Sequence, residues 1–450
     1  MEKRYDYLVI GSGPAGHVSA IRAAQLGLRT AIVEKDLGMF GGVCLNEGCI
    51  PAKSLYHSAE VYDTVKRGSK LCGLDVECGP LNMAKIVEKS REAAEQLSKG
   101  LSFILKKNDI DLIKGMARFL NGTTVLVSNG KEDFKIEADK FLVSTGSVPC
   151  SLPDLEVDGK RVMTSSHAIR LEKVPGKLLV VGGGAIGTEF ASFFNIMGSE
   201  VTVIEALDSL LPSEDKEVSR RLQSIFKQRG IKVRVSSSAK DMPVDEYDAI
   251  LVSVGRMPAT SDLGLDKAGV KTDDEGFIQV DPRMRTSAGN IYAAGDVVRT
   301  PMLAHVGYAE GEVAAEAAAG SDPEPVDYEC VPNAVYTEVG IASVGLTEEK
   351  AKEGNINYKT GKSFFKANGK AVVSSRTEGF IKVIVDTDSH KLLGAHIIGR
   401  EAYELIHEFV VAKKAGLKVE DIGKAVHAHP TFSEAAVDAC KAVFGKPIHG

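Results

Sequence analysis

Leu8-Val9-Ile10-Gly11-Ser12-Gly13-Pro14-Ala15-Gly16 opens a stretch that closes on Thr30-Ala31-Ile32-Val33-Glu34, and the chain writes this unit twice. Its second copy runs from Leu179-Val180-Val181-Gly182-Gly183-Gly184-Ala185-Ile186-Gly187 to Val201-Thr202-Val203-Ile204-Glu205. The copies align without a gap. Gly11, Gly13 and Gly16 match Gly182, Gly184 and Gly187; Ala20 matches Ala191, Gly27 matches Gly198, and Glu34 matches Glu205. Each copy has an apolar run of strand length, a Gly-rich turn, a helical stretch, and a second apolar run ending in a carboxylate. That is a βαβ unit.

The spacing suits a dinucleotide. The first Gly makes the tight turn, the second lets backbone approach the pyrophosphate, and the third lets helix pack on strand. The pyrophosphate then sits on the helix N-terminus, and the terminal carboxylate accepts from ribose hydroxyls. Glu205 would repel a 2′-phosphate, so the second site should prefer NAD to NADP. The bland alternative is a Gly-rich turn with no ligand; two copies in the same context count against it.

The chain has 450 residues, so roughly two to four domains are expected. Apolar residues make up 44% and charged residues 26%, ordinary for a globular protein. A net charge of −6 gives no reason to expect nucleic acid or an anionic membrane as partner. No apolar run approaches a membrane span. Met1-Glu2-Lys3-Arg4-Tyr5-Asp6-Tyr7 leads straight into a strand, with neither a signal-peptide core nor an Arg-rich transit segment, so a cytoplasmic location is expected.

Seven cysteines are too few for a secreted disulfide scaffold. Two of them, Cys44 and Cys49, stand in Gly41-Gly42-Val43-Cys44-Leu45-Asn46-Glu47-Gly48-Cys49-Ile50-Pro51-Ala52-Lys53. On a straight helix five residues travel ~7.5 Å, beyond the ~6.8 Å limit for a disulfide's Cα separation. Pairing would require the backbone to curl, which Gly41, Gly42, Gly48 and Pro51 permit. A strained small-loop disulfide suits electron transfer better than stapling. Two unrelated buried thiols, or half of a metal site, remain open at this point. Cys72 and Cys78 read as ordinary buried thiols. A redox pair beside two dinucleotide sites suggests one electron path, from nicotinamide through flavin to disulfide. The first site, just upstream of the cysteines, should then hold the flavin and the second NAD.

Further segments fit this plan. Phe141–Pro149 reads as a buried strand ending in Thr145-Gly146, a crossing between domains, and Ala249–Pro258 as the matching exit strand. Ile291–Asp296 delivers a carboxylate after a Gly, where Asp296 can accept from a polyol; a plain turn Asp is the alternative. The helix after Met302-Leu303-Ala304-His305 is rich in Ala and Gly and could pack against something large and flat. From residue 331 onward strand-like pieces (Ala334–Thr337, Phe380–Asp386, Leu392–Ile398) precede helices (Ala402–Ala415, Val419–Val426, Ser433–Val443), suggesting an α+β domain. His427-Ala428-His429-Pro430-Thr431-Phe432-Ser433-Glu434 offers a proton acceptor, His429, with a carboxylate, Glu434, positioned to orient it. A metal pair of histidines or a structural helix cap are the competing readings.

Taken together these residues resemble the pyridine nucleotide–disulfide oxidoreductases, nearly end to end. Leu45-Asn46 between the cysteines and Ile50-Pro51 after them are most like the dihydrolipoamide dehydrogenases of that family. The resemblance implies an α/β fold: two Rossmann-like dinucleotide-binding domains, for FAD (1–146) and NAD (147–274), a central segment (275–330) completing the FAD site, and a C-terminal α+β dimerisation domain (331–450). It further implies that Cys44 is the interchange thiol and Cys49 the thiol facing the flavin. Lys53 would lie near the flavin and pair with Glu189, Glu34 bind the adenosine ribose of FAD, Asp296 the ribityl chain and Glu205 the ribose of NAD. Ile186 would gate the nicotinamide pocket. His429, oriented by Glu434, would act as acid and base on the disulfide of the other subunit. Pro14, Ala15, Gly115, Thr145, Gly146, Ala304 and Gly255 complete the expected cofactor contacts. No metal is expected.

The implied partners are a second copy of the chain and the lipoyl domains of 2-oxo acid dehydrogenase complexes or the glycine cleavage H protein. The alternatives are a glutathione-type reductase, which prefers NADPH, and a mercuric reductase, which would want a C-terminal cysteine pair where only Cys440 is found. A non-enzymatic flavoprotein scaffold is a third. The chain departs from the family at Val339-Gly340, where Pro-Glu is usual, and no N-terminal lipoyl domain is expected.

Overall fold

The computed structural model describes residues 3–69, 72–77 and 79–449. Its first sheet begins with β1 (Lys3–Ile10), β2 (Thr30–Glu34), β3 (Asp111–Lys114), β4 (Met116–Asn121), β5 (Thr124–Ser128) and β6 (Asp133–Val143), in the spatial order β3-β2-β1-β6-β5-β4. β1 pairs in parallel with both β2 and β6. After the short β7 (Ser147–Pro149) the chain enters a second sheet, built from β8 (Val162–Met163), β9 (Lys177–Val181), β10 (Glu200–Ile204), β11 (Lys232–Arg234) and β12 (Ala249–Val252) in the order β11-β10-β9-β12-β8. All its pairs are parallel.

The central parallel strands are near-continuous apolar runs, as strands buried on both faces are. β2 and β12 are buried at every residue. Each sheet therefore carries two apolar layers. The first has Tyr5, Phe119 and Phe141 on one side and Tyr7, Ile32 and Tyr292 on the other. The second divides Leu178, Phe194 and Leu251 from Leu179, Ile204 and Ile250.

The chain returns through β13 (Arg256–Pro258), antiparallel to β7, and β14 (Ile291–Ala293) rejoins the first sheet beside β6. The two crossing strands are stitched where Thr145 Oγ1 donates to Ala259 O at 2.7 Å and Ala259 N–H to Gly146 O at 2.8 Å. The last sheet is antiparallel: β15 (Pro332–Val335), β16 (Ile341–Gly345), β17 (Tyr358–Phe364), β18 (Gly379–Asp386) and β19 (Leu392–Gly399), in the order β15-β16-β19-β18-β17. Helices Ala402–Lys414, Val419–Lys424 and Glu434–Ala442 share its core, with Ile381, Ile397, Phe409 and Ala439 buried between them. The fold is thus mixed α/β: two Rossmann-like units, the first with an antiparallel extension β6-β5-β4 on its parallel sheet and the second all parallel, and a C-terminal α+β unit.

Two features differ from the sequence reading. β16 and β17 escape it, because Ser343 and Gly345 in one and Lys359, Gly361 and Lys362 in the other dilute the apolar alternation. The Ala/Gly-rich helix, Ala304–Ala318, turns Gly307 and Gly311 to a neighbouring helix. A Cβ at Gly311 would meet Ala15 O at 2.4 Å, and one at Gly307 would meet Ala15 N at 3.4 Å, so these glycines let it press on the helix Pro14–Gln25. Cys72 is exposed rather than buried; Cys78 lies outside the described residues. Among the described residues no helix is long and apolar enough to cross a membrane.

Candidate active site

The two Gly-rich turns are superimposable in their constraints. Gly11 and Gly182 hold φ of 100° and 106°, a region that L side chains avoid. A Cβ on Gly16 would stand 2.0 Å from Gly11 O, and one on Gly187 would stand 1.9 Å from Gly182 O. Nothing lies within 4 Å of where a Cβ would stand on Gly13 or Gly184. Both of these cap a helix without any side-chain acceptor, so its first N–H groups remain available. The residues present therefore fit a pyrophosphate at each turn.

The carboxylate of each copy folds back onto its own turn. Glu34 accepts from Ser12 N–H (2.9 Å), Ser12 Oγ (2.6 Å) and Asp36 N–H (3.2 Å). Glu205 accepts from Gly183 N–H (2.6 Å) and Leu207 N–H (2.8 Å). Both are buried. Ile186 is half-buried in the first turn of the second Gly-rich helix and packs against the core. Gly115 joins β3 to β4, its N–H donating to Glu34 O at 3.0 Å. Gly255, at φ 115°, accepts from Cys150 N–H at 3.0 Å.

Asp296 follows β14 and accepts from Ser147 Oγ. Arg256 donates to Ser147 Oγ and Ser147 O, each at 2.7 Å. Burial pulls the Arg256 pKa down, against the charge of Asp296. The preceding Gly295 N–H donates to Glu310 Oε2 (2.7 Å), and Tyr328 Oη donates to the other Glu310 oxygen (2.8 Å). Burial pushes the Glu310 carboxyl up. Glu310 and Arg256, which hold the Asp296 turn, were missed in the sequence. Glu310 is one of three glutamates in an Ala/Gly-rich helix, and nothing in the sequence separates it from Glu312 and Glu316.

Cys44 sits in a short helix, Gly42–Asn46, and Cys49 opens the next, Cys49–Asp63. The break between them at Glu47 and Gly48 supplies the curl a straight helix lacks. Asn46, buried between the cysteines, donates to Phe40 O (2.8 Å) and Gly42 O (3.0 Å), while its carbonyl accepts from Arg91. A Cβ on Gly42 would lie 2.6 Å from Gly13 Cα, so this loop is pressed onto the first Gly-rich turn. Both cysteines are half-buried free thiols within hydrogen-bond reach of each other. The pair shares its proton unequally. The hydrogen bond from Cys44 is the largest influence lowering the Cys49 pKa; burial opposes it and Lys53 assists. The same hydrogen bond, then burial, pushes Cys44 up. Cys49 also stands at a helix N-terminus, which favours a thiolate.

Lys53, one turn along, donates to both oxygens of Glu189 at 3.0 Å. Tyr336 N–H donates to Glu189 Oε1 at 3.0 Å, and its ring lies 4.3 Å from Lys53 Nζ. Tyr308, on the helix Ala304–Ala318, meets His17 edge-on at 5.8 Å. Burial first, then the nearby cysteines, pushes the Tyr308 hydroxyl up. Neither Tyr336 nor Tyr308 was singled out in the sequence.

His429 Nδ1 and Glu434 Oε1 are 2.9 Å apart, and Glu434 also accepts from Thr431 N–H at 2.8 Å. That backbone N–H, then His429, holds the Glu434 carboxyl below its ordinary value. The His429 side chain is 77% exposed, whereas the thiols are half-buried. Among the described residues, no hydrogen bond or ion pair joins His429 to either thiol within the chain. His427 turns away to Glu408, at 2.9 Å, rather than sharing a ligand site with His429. Among the described residues no group of three or more His, Cys, Asp or Glu is placed to hold a metal ion.

Comparison with known proteins adds a family. The pyridine nucleotide-disulphide oxidoreductase model matches residues 5–311, and the dimerisation domain of the same family matches residues 331–440. Dihydrolipoyl dehydrogenase of Zymomonas mobilis is 39% identical, covering 100% of both chains. That of Chlorobaculum tepidum is 41% identical over 97% of this chain and 96% of its own. Among solved structures, LpdA of Mycobacterium tuberculosis superimposes with a TM-score of 0.89 at 26% identity, covering 98% of this chain and 99% of its own. The HOCl-induced flavoprotein disulfide reductase RclA of Escherichia coli, solved as a Cu(II) complex, has a TM-score of 0.88 at 28% identity, with coverage of 98% and 99%.

Proposed function

The chain belongs to the pyridine nucleotide-disulphide oxidoreductase family, and on that premise we propose that it oxidises dihydrolipoyl groups through Cys44 and Cys49. FAD and NAD are its cofactors, FAD accepting an electron pair from the thiols and NAD carrying it away as hydride. The first Gly-rich turn, with Glu34, Thr145, Gly146, Asp296 and Ala304, would hold FAD. The second, with Ile186, Glu205 and Gly255, would hold NAD. The observation that carries the reading is the thiol pair pressed onto the first turn, with the Lys53–Glu189 pair beside it.

The chemistry of the chain's own residues follows. In the oxidised enzyme Cys44 and Cys49 form a disulfide. His429 of the partner subunit takes a proton from a substrate thiol, and the thiolate attacks Cys44 Sγ, releasing Cys49 as thiolate. The second substrate thiol then closes the lipoyl disulfide and expels Cys44, which leaves with a proton. Lys53 and the Cys44 S–H hold the Cys49 thiolate in its charged form. Glu434 keeps the imidazole oriented throughout.

A homodimer supports this, because His429 is exposed in one chain, as are Val373, Val411, Val426 and Ile448 on the same C-terminal unit. The lipoyl domain of a 2-oxo acid dehydrogenase complex or the glycine cleavage H protein would present the substrate, in the cytoplasm. The test is the initial rate of NADH formation from dihydrolipoamide and NAD⁺, with NADP⁺ in parallel. Turnover with NAD⁺ and little with NADP⁺ is expected. A folded, yellow protein that fails to turn over would move the substrate to another disulfide.

A further inference from the structure

Tyr336 comes from the C-terminal unit, just past β15, yet it completes the surroundings of thiols that lie beside the first Gly-rich turn. It makes two contacts there. Its backbone N–H donates to Glu189 Oε1 at 3.0 Å, the carboxylate that takes Lys53 through both oxygens. Its ring offers a face to Lys53 Nζ at 4.3 Å, where the negative quadrupole attracts an ammonium. The other neighbour of that ring is Tyr403, stacked at 4.5 Å with the planes 23° apart. Tyr403 belongs to the helix Ala402–Lys414, so the ring is braced from behind by a rigid element. Ala52, Lys53, Tyr56, Glu189, Phe193 and Tyr336 help line a small cleft of about 20 Å³, room for a single water. Tyr56 Oη is buried there and finds no hydrogen-bond partner among the described residues.

Lysine has a flexible stem, and its ammonium is strongly hydrated; left to itself it would seek water. Here a carboxylate and an aromatic face close on it from two sides. We propose that Tyr336 is a positioning residue of the redox centre: it holds the Glu189–Lys53 pair beside Cys49, so that docking of the C-terminal unit completes the electrostatics of the thiols. This rests on the reading of Cys44 and Cys49 as the redox pair. The titratable and charged groups around Cys49 are Cys44, Lys53, Glu189, Arg256, Tyr308 and Tyr336. Lys53 and Arg256 are the cations among them, and Tyr336 holds only Lys53. Without the ring, Lys53 gains freedom to leave the thiol, and the thiolate loses a counter-charge.

The test uses the reduced holoenzyme. Iodoacetamide alkylation of Cys44 and Cys49 is followed separately, by mass spectrometry of their peptides, as a function of pH. Tyr336→Leu should raise the midpoint for Cys49 alkylation by about half a pH unit or more. Tyr336→Phe, which keeps the ring and the backbone N–H, should leave that midpoint in place. Replacing Tyr336 by pentafluorophenylalanine keeps the shape of the ring but reverses its quadrupole, and should shift the midpoint in the same direction as Leu. This third variant decides the matter if Tyr336→Leu does not fold. An unshifted midpoint in a folded, FAD-loaded Leu or pentafluorophenylalanine variant would overturn the proposal. So would a shift in Tyr336→Phe as large as in Tyr336→Leu, since the hydroxyl would then be the active group. Failure of the redox-pair reading is distinguishable, because the wild-type thiols would then both titrate as ordinary cysteines.

Discussion

Lys382→Met should uncouple the second nucleotide-binding unit from the C-terminal sheet. Lys382 lies in the middle of β18 and is 1% exposed. Its ammonium meets Asp215 at 3.0 and 2.9 Å, Glu217 at 3.0 Å and Glu348 at 2.6 Å. Asp215 is wholly buried and caps the helix Lys216–Gln228 by accepting from Glu217 N–H at 3.0 Å. One cation from the C-terminal sheet thus pins a helix of the nucleotide-binding unit. Methionine keeps most of the stem volume and removes the charge. Asp215 would then be left with two backbone N–H donors, from Glu217 and Glu348. Removing one partner of a buried ion pair costs about 3–5 kcal/mol. Glu217 keeps Lys362 as a partner, so the lower end, about 3 kcal/mol, is expected. For a unit of this size that is a fall of about 12 °C in Tm. Calorimetry is the assay, since it resolves the transitions of separate units. Adding Asp215→Asn, which preserves the cap, should return at least about 1 kcal/mol.

The pH dependence has a definite sign. The hydrogen bond from Lys382 is the largest influence on Glu348, and with those from Lys352 and Tyr358, against burial, it brings the pKa from 4.5 down to about 2. A depressed carboxylate contributes stability above its unfolded pKa and loses it as the pH falls through the folded value. The gap between wild type and Lys382→Met should therefore be full above pH 4.5 and close towards pH 2. A loss below about 1 kcal/mol at neutral pH, where a buried pair demands more, would refute the reasoning. So would a gap that stayed constant down the acid limb.

Other outcomes are open to direct measurement. His429→Gln should slow dihydrolipoamide oxidation by about 10²–10⁴-fold, the usual worth of a general base, yet spare NADH oxidation by an artificial acceptor; equal loss of both activities would remove His429 from its role. Gly187→Ala puts a Cβ 1.9 Å from Gly182 O, so NAD binding, read by calorimetric titration, should fail while the protein stays yellow; retained affinity would contradict the close-packed turn. Gly16→Ala should give the converse, a protein that purifies without flavin absorbance. Glu205→Ala removes the carboxylate facing a 2′-phosphate, so the ratio of kcat/KM for NADP⁺ over NAD⁺ should rise; an unchanged ratio would place the cofactor preference elsewhere.

The sequence by itself determined the parts of this protein whose causes are local. A Gly forced to φ near 100°, a Gly with a carbonyl 2 Å from its absent Cβ and a carboxylate at the end of the next strand form one short chain segment. The repeat therefore reads out two nucleotide folds before any contact is known. The same holds for His429 and Glu434, five residues apart, and for Gly48, where the helix breaks between Cys44 and Cys49. What the tertiary structure alone decided are meetings across long stretches of chain. Lys53 reaches Glu189 over 136 residues, Tyr336 reaches Glu189 over 147, and Lys382 reaches Asp215 over 167. In sequence Lys382 is a single charge inside the apolar run Phe380–Val385, and Tyr336 stands near the end of another strand-like piece. No periodicity marks either one. Their roles depend on which charge or ring the fold brings against them, and the free energy of a buried charge is set by its neighbours in space rather than along the chain.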